Sequence, residues 1–247
     1  MTTPRRALVT GAGVRVGRAI ALALGNAGYD VALHYHHSAD AAEAAAGEIQ
    51  ALGRQAHALA ADLRVPDACA QLVRAAETRL GGLELLVVNA AEFVRTPYDR
   101  VDEASWNSAI ELNLSSALWL SKAATSALRA AHGAIIFVTC SSASVPFRNY
   151  LPYVVAKGGL QQLMKTLALE LAPQVRVNAV APGTVLPPED MTPEHTQRLV
   201  RGVPLARVGS AQDVADAVVY LASAKYVTGE EIRVDGGRAL ARIERFE

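Results

Sequence analysis

Short apolar runs alternate along the chain with longer segments whose apolar residues recur at helical spacing. The short runs fit strands buried on both faces, and the periodic segments fit helices. Strands are expected at 5–10, 31–36, 56–63, 83–91, 134–142, 175–183 and 230–237. Helices are expected at 15–27, 39–52, 66–80, 103–130, 194–201 and 211–223, with a further one carrying Tyr153. Gly28 and Gly53 close the first two helices. Strict strand–helix alternation predicts an α/β fold of Rossmann type: a doubly wound parallel sheet of about seven strands with helices on both faces. No repeat, linker or composition break divides residues 1–247, so a single domain is expected. The stretch 184–209, polar and bearing Pro187, Pro188 and Pro193, suits a substrate lid.

Composition narrows the function more than the fold. Lys plus Arg and Asp plus Glu both number 24, so nothing in the charge balance asks for nucleic acid or an acidic membrane. No apolar run approaches the ~20 residues that span a bilayer. The opening MTTPRRALVTG enters a strand at once, without a signal-peptide core. Cys69 and Cys140 form neither a disulfide framework nor a metal-ligand spacing. The expectation is a cytoplasmic protein acting on a small molecule, with no metal.

Two stretches carry candidate chemistry. The first is TGAGVRVG, Thr10 to Gly17, between a strand and a helix. Gly11, Gly13 and Gly17 let backbone approach a pyrophosphate, and the helix N-terminus at Val16 supplies N–H donors. Arg15 interrupts the G-x-x-x-G-x-G spacing; its guanidinium either lies along the phosphates or is a tolerated surface group. Strand two ends in LHYHHS, with no acid before Asp40 to take ribose hydroxyls. His36, His37 and Ser38 can donate to a 2′-phosphate, which favours NADP(H) over NAD(H); the alternative is a solvated loop. Asp62 and Leu63 end strand three where an adenine edge is met, and Asn89 and Ala90 end strand four beside the switch point. The second stretch is YVVAK. Tyr153 and Lys157 lie one helical turn apart on one face. A lysine ammonium there is expected to lower the phenol pKa and make it a usable acid near neutrality.

Taken together, TGAGVRVG, NAA at 89–91, Asn113, YVVAK, Pro182-Gly183 and the terminal VDGG resemble the short-chain dehydrogenase/reductases over essentially the whole chain. Arg15, LHYHHSADAAEA at 33–44, NAAEF at 89–93 and VAPGTVLPPED at 180–190 look closer to the pteridine reductase branch. The resemblance implies that Tyr153 delivers a proton while the cofactor gives a hydride to a C=N or C=O carbon. It implies that Lys157 holds the nicotinamide ribose and that Asn113 ties a water to the relay; a helix kink or surface residue is the alternative for Asn113. It further implies that Arg15 touches phosphate and substrate, that Phe93 covers one face of a flat ligand, and that the protein is a homotetramer. Phe93, Phe147 and Tyr150 are candidate substrate-wall residues, or else loop residues packed in the core or on a neighbouring subunit.

The family places a hydroxyl or an aspartate thirteen residues before the tyrosine, and here that count lands on Cys140. A thiol is a weaker donor than either, and a buried structural cysteine is the alternative. Ser141 or Thr139 would replace it only after a one-residue shift, which turns a side chain to the other face. Two rival readings follow: a general ketone or 3-oxoacyl reductase of the same fold, and a catalytically weak NADP-binding module.

Overall fold

The computed structural model describes residues 5–186 and 192–241. Seven strands form the sheet: β1 (Arg5–Val9), β2 (Tyr29–Tyr35), β3 (Ala56–Ala60), β4 (Leu85–Val88), β5 (Ala134–Val138), β6 (Arg176–Pro182) and β7 (Glu231–Val234). The helices are α1 (Arg15–Asn26), α2 (Ala39–Ala51), α3 (Pro66–Leu80), α4 (Glu103–Ile110), α5 (Ser116–Ala130), α6 (Leu151–Leu171), α7 (Pro193–Val200), α8 (Ala211–Ser223) and α9 (Arg238–Ala241). All strand pairs are parallel and the order is β3-β2-β1-β4-β5-β6-β7. Winding reverses between β1 and β4, which opens a crevice at the carboxyl ends of those strands.

Alternate strand residues supply two cores, because successive side chains point to opposite faces. Leu8, Leu86 and Phe137 pack with Leu120 of α5 and Leu160 and Met164 of α6. Val9, Leu33, Val87 and Ile136 pack on the other face with Ile20 of α1 and Val214 and Val218 of α8. Each such side chain removed from water contributes roughly 1.5–3 kcal/mol. Local signals set the helix ends. Asp102 and Ser105 form a capping box at α4, Ser210 and Asp213 another at α8, and Gly81 closes α3 at φ 76°.

Several expected boundaries move. The strands expected at 83–91 and 134–142 end at Val88 and Val138, because the apolar run outlasts the ladder into the loops. The single helix expected over 103–130 is α4 and α5 joined by a π-helical turn, Glu111–Ser115. The last strand is only four residues, and α9, which the VDGG punctuation hid, follows it.

Candidate active site

The turn after β1 is tied across the switch point. Thr10 Oγ1 accepts the N–H groups of Asn89 (2.9 Å) and Ala90 (3.0 Å), and Asn89 Nδ2 donates to the carbonyls of Thr10 and Gly11. Gly17 has no alternative: a Cβ there would stand 1.9 Å from the Gly11 carbonyl oxygen. Gly11 has φ +62°, and its Cβ would meet the Ala90 backbone at 3.0 Å. Arg15 also takes a left-handed φ, 52°, where a glycine is at ease. Its guanidinium donates to the carbonyl of Leu186. Val14, the residue that caps α1, has no side-chain acceptor for the first-turn amides, and that turn contains no acid. Such a helix end suits an anion.

The glycine turn is one wall of a cleft of about 620 Å³. Arg15, Val16, His36, His37, Ser38, Asp62, Leu63, Asn89 and Ala90 all border it. His36 and His37 are exposed, with ring centroids 3.7 Å apart, at the end of β2. Leu63 contributes its side chain to the core, while the Asp62 carboxylate accepts the Arg64 N–H at 3.0 Å. Polar groups at both ends and backbone amides at the middle fit a dinucleotide.

Sequence reasoning passed over His34, inside β2 and 2% exposed. Its Nδ1 accepts the Gly11 N–H at 3.1 Å and its Nε2 faces the Ala61 carbonyl at 3.1 Å. These contacts assign the neutral Nε2–H tautomer. Burial holds its pKa down to about 4. Arg64 and Glu92 were also passed over; they pair at 2.7 Å on the rim of the cleft. Only their place beside Asp62 and Asn89 hinted at them.

A second cleft, of about 680 Å³, adjoins the first and shares Arg15 with it. Cys140, Tyr153 and Gly183 border it, with Phe93, Phe147 and Tyr150. Phe93 stacks on Tyr150 (4.2 Å, 9°) and meets Tyr153 edge-on (4.8 Å, 80°). It is 57% exposed, so it is not a core anchor. Thr184, Val185 and Leu186, the first part of the expected lid, border the cleft, as does Leu199 of α7. Pro187 and Pro188 lie outside the described residues. Pro182 ends β6, and Gly183 faces this second cleft rather than the first, its Cβ position blocked by Asp235 at 2.5 Å.

Tyr153 and Lys157 share a face of α6, and Lys157 Nζ stands 5.8 Å from the Tyr153 ring centroid. Lys157 is 2% exposed and donates to the Val138 carbonyl at 2.9 Å. Burial lowers its pKa to about 8, partly offset by Cys140. The expected acidification of Tyr153 is corrected: its pKa is raised well above the ordinary phenol value. Burial is the main cause, and the neighbouring Cys140 adds to it. Lys157 is not among the causes, and burial keeps the phenol protonated.

Cys140 keeps the ungapped position and borders the cleft half-buried, not as a core cysteine. Its sulfur accepts the Ser142 N–H at 3.4 Å. Thr139 is committed elsewhere, donating to the Val180 carbonyl and the Glu231 carboxylate. Ser141 does border the cleft. Asn113 lies in the π-helical turn and is buried, not a surface residue. Its Oδ1 accepts the Glu92 N–H at 3.1 Å, and its Nδ2 finds no partner among the described residues.

A glycine turn at the switch point, opening into a second cleft that holds a tyrosine and a lysine one helical turn apart, defines a nicotinamide-dependent oxidoreductase. The chain belongs to the short-chain dehydrogenase/reductase family. Residues 11–239 match the family model described as enoyl-(acyl carrier protein) reductase. The chain is 37% identical over 245 residues to 3-oxoacyl-(acyl-carrier-protein) reductase FabG of Staphylococcus aureus, covering 96% of this chain and 99% of that one. Among solved structures it is similar to 7α-hydroxysteroid dehydrogenase complexed with NADH and 7-oxo glycochenodeoxycholic acid (TM-score 0.89, 32% identity, 94% and 93% covered). It is equally similar to a blue fluorescent protein from a metagenomic library in complex with NADPH (TM-score 0.89, 31% identity, 95% and 98% covered). None of these matches points to the pteridine reductase branch. No helix among the described residues is long and apolar enough to cross a membrane.

Proposed function

We propose that the protein is an NADPH-dependent reductase of a ketone carbonyl, with a 3-oxoacyl thioester as its substrate class. The observation that carries this reading is Tyr153, one helical turn from the buried Lys157, bordering the cleft beside the glycine turn. The likeness to a 3-oxoacyl reductase supports the substrate class. The bound cofactor supplies the hydride. Its phosphates would lie at Gly11, Gly13, Val16 and Gly17 with Arg15, and its 2′-phosphate at His36, His37 and Ser38. Asp62 and Leu63 would meet the adenine; Asn89, Ala90, Pro182 and Gly183 would flank the nicotinamide half.

Tyr153 gives its proton to the carbonyl oxygen as negative charge builds there. Cys140 helps hold that oxygen, in the place where the family carries a stronger donor. Lys157 holds the ribose and, as a buried cation, stabilises the phenolate left behind. The Asn113 Nδ2, without a partner among the described residues, suits a water that passes a proton towards Lys157. Holding the reacting carbons in contact supplies ~7–11 kcal/mol, and proton donation 10²–10⁴-fold.

A second reading keeps the same chemistry for a flat heterocycle such as a pterin. The Phe93 ring favours it, since displacing Tyr150 from its face would leave a stacking platform. A weakly catalytic NADP-binding module is the reading left if Cys140 records lost activity. The two free cysteines fit a cytoplasmic protein, and the homotetramer stands as the family resemblance implies.

The test follows NADPH oxidation with acetoacetyl-CoA and, separately, with dihydrobiopterin. Faster turnover of the thioester is expected. Preference for the pterin would select the second reading, and NADPH binding without any turnover the third. Tighter binding of NADH than NADPH would overturn the assignment of His36 to Ser38.

A further inference from the structure

Around the π-helical turn, one residue is bonded on both sides. The Glu92 carboxylate accepts from Arg64 Nη2 at 2.7 Å and from Ser108 Oγ at 2.9 Å. Its backbone N–H donates to Asn113 Oδ1 at 3.1 Å. Ser108 lies on α4, before the turn Glu111–Ser115, and Asn113 lies within it. Glu92 therefore spans the place where the helical ladder is irregular, and it does so from the loop after β4. Arg64 in turn stands 3.7 Å from the Asp62 carboxylate, on the rim of the first cleft.

We infer that Glu92 is a positioning residue for the reduction, with Arg64 and Ser108 as its supports: it fixes the direction of the Asn113 side-chain amide. An amide is planar, so pinning Oδ1 sets where Nδ2 points. That Nδ2 is buried and has no partner among the described residues, so no bond of its own holds it there. Among the described residues, the amide is held at its Oδ1 end alone, by the Glu92 N–H. The Glu92 backbone is held there in turn by a carboxylate clasped from two other elements. Partial burial makes the Arg64–Glu92 bond a charge-assisted one that solvent does not fully screen. The inference rests on the reading of Asn113 as part of the proton relay.

The experiment compares Asn113→Ala, Glu92→Ala, Glu92→Gln, Ser108→Ala and the Glu92→Ala/Asn113→Ala double variant. It measures kcat for acetoacetyl-CoA against pH, and NADPH affinity by fluorescence titration. Glu92→Ala is expected to lower kcat about tenfold and distort the pH profile as Asn113→Ala does, with NADPH affinity changed less than about threefold. The double variant is expected to be no slower than Asn113→Ala, because residues acting through one group are not additive. Glu92→Gln, which keeps an acceptor for Ser108 and Arg64, is expected to retain most of the activity. Ser108→Ala carries the test if Glu92→Ala does not fold, with a smaller loss in the same direction. Additive losses in the double variant, or a loss confined to NADPH affinity, would overturn the inference. An impaired Asn113→Ala beside a normal Glu92→Ala would overturn it while leaving the relay intact. A normal Asn113→Ala would remove the relay, and the inference with it.

Discussion

Tyr153 and Cys140 border one cleft, and Cys140 adds to the burial that raises the pKa of the phenol. Sulfur is a poor donor, so it offers little to a carbonyl oxygen gaining charge. A Cys140→Ser variant places a hydroxyl there. A better hydrogen bond is worth ~0.5–1.5 kcal/mol, which is up to about tenfold in rate. We expect kcat for acetoacetyl-CoA to rise by that factor in Cys140→Ser and to fall below wild type in Cys140→Ala. A slower Cys140→Ser enzyme would mean that the thiol has a role the hydroxyl cannot fill.

Tyr153 and Lys157 divide the work by pH. With its pKa raised, the phenol holds its proton through neutrality, and Lys157, at about 8, is the group that titrates first. The free enzyme's kcat/KM for reduction should be flat near neutral pH and decline through about pH 8 as the lysine loses its charge. Tyr153→Phe should lower kcat by 10²–10⁴-fold and leave NADPH affinity nearly unchanged. A variant keeping most of the turnover would remove Tyr153 as the proton donor.

Arg15 sets stability against binding. Its left-handed φ of 52° costs a non-glycine residue roughly 1–2 kcal/mol, while glycine adds about 0.5–1 kcal/mol of unfolded-state entropy. Arg15→Gly should therefore fold as stably as wild type or slightly more so. The same change removes a guanidinium shared by both clefts. Loss of a charged hydrogen bond, ~1.5–3 kcal/mol, should weaken NADPH binding by tenfold or more. Thermal unfolding and a cofactor titration on one sample would show the two effects moving in opposite directions. Unchanged affinity would place the guanidinium away from the phosphates.

Why some of this was legible in the sequence and some was not follows from what each feature depends on. The seven strands and their parallel winding follow from alternation, which a linear pattern records, and Gly17 follows from a crowding that only hydrogen relieves. The joining of Tyr153, Lys157 and Cys140 in one place follows from helical spacing and the end of β5. The π-helical turn at Asn113 left no trace, since ELNLS is as good an α-helix as any neighbour. The raised Tyr153 pKa escapes the sequence, because spacing shows the lysine but not the burial around the phenol. His34 was hidden in VALHYH, where a polar residue inside an apolar strand gives no hint of what it bonds.

That histidine carries the last prediction. His34 accepts the Gly11 N–H only while neutral, and burial holds its pKa near 4 against an ordinary 6.5. Between those values the unfolded chain binds a proton that the folded chain refuses. Stability contributed by neutral His34 is therefore full above pH 6.5 and falls as pH drops towards 4, by about 1.4 kcal/mol per pH unit. Protonation would also break the bond that seats the glycine turn, so cofactor affinity should fall over the same acid range. Urea unfolding at several mildly acidic pH values, compared with His34→Asn, isolates this residue from other titrating groups. An asparagine keeps an acceptor for Gly11 but does not titrate, so its stability should fall less steeply with acid. Parallel slopes for the two proteins would show that His34 is not a source of the acid sensitivity.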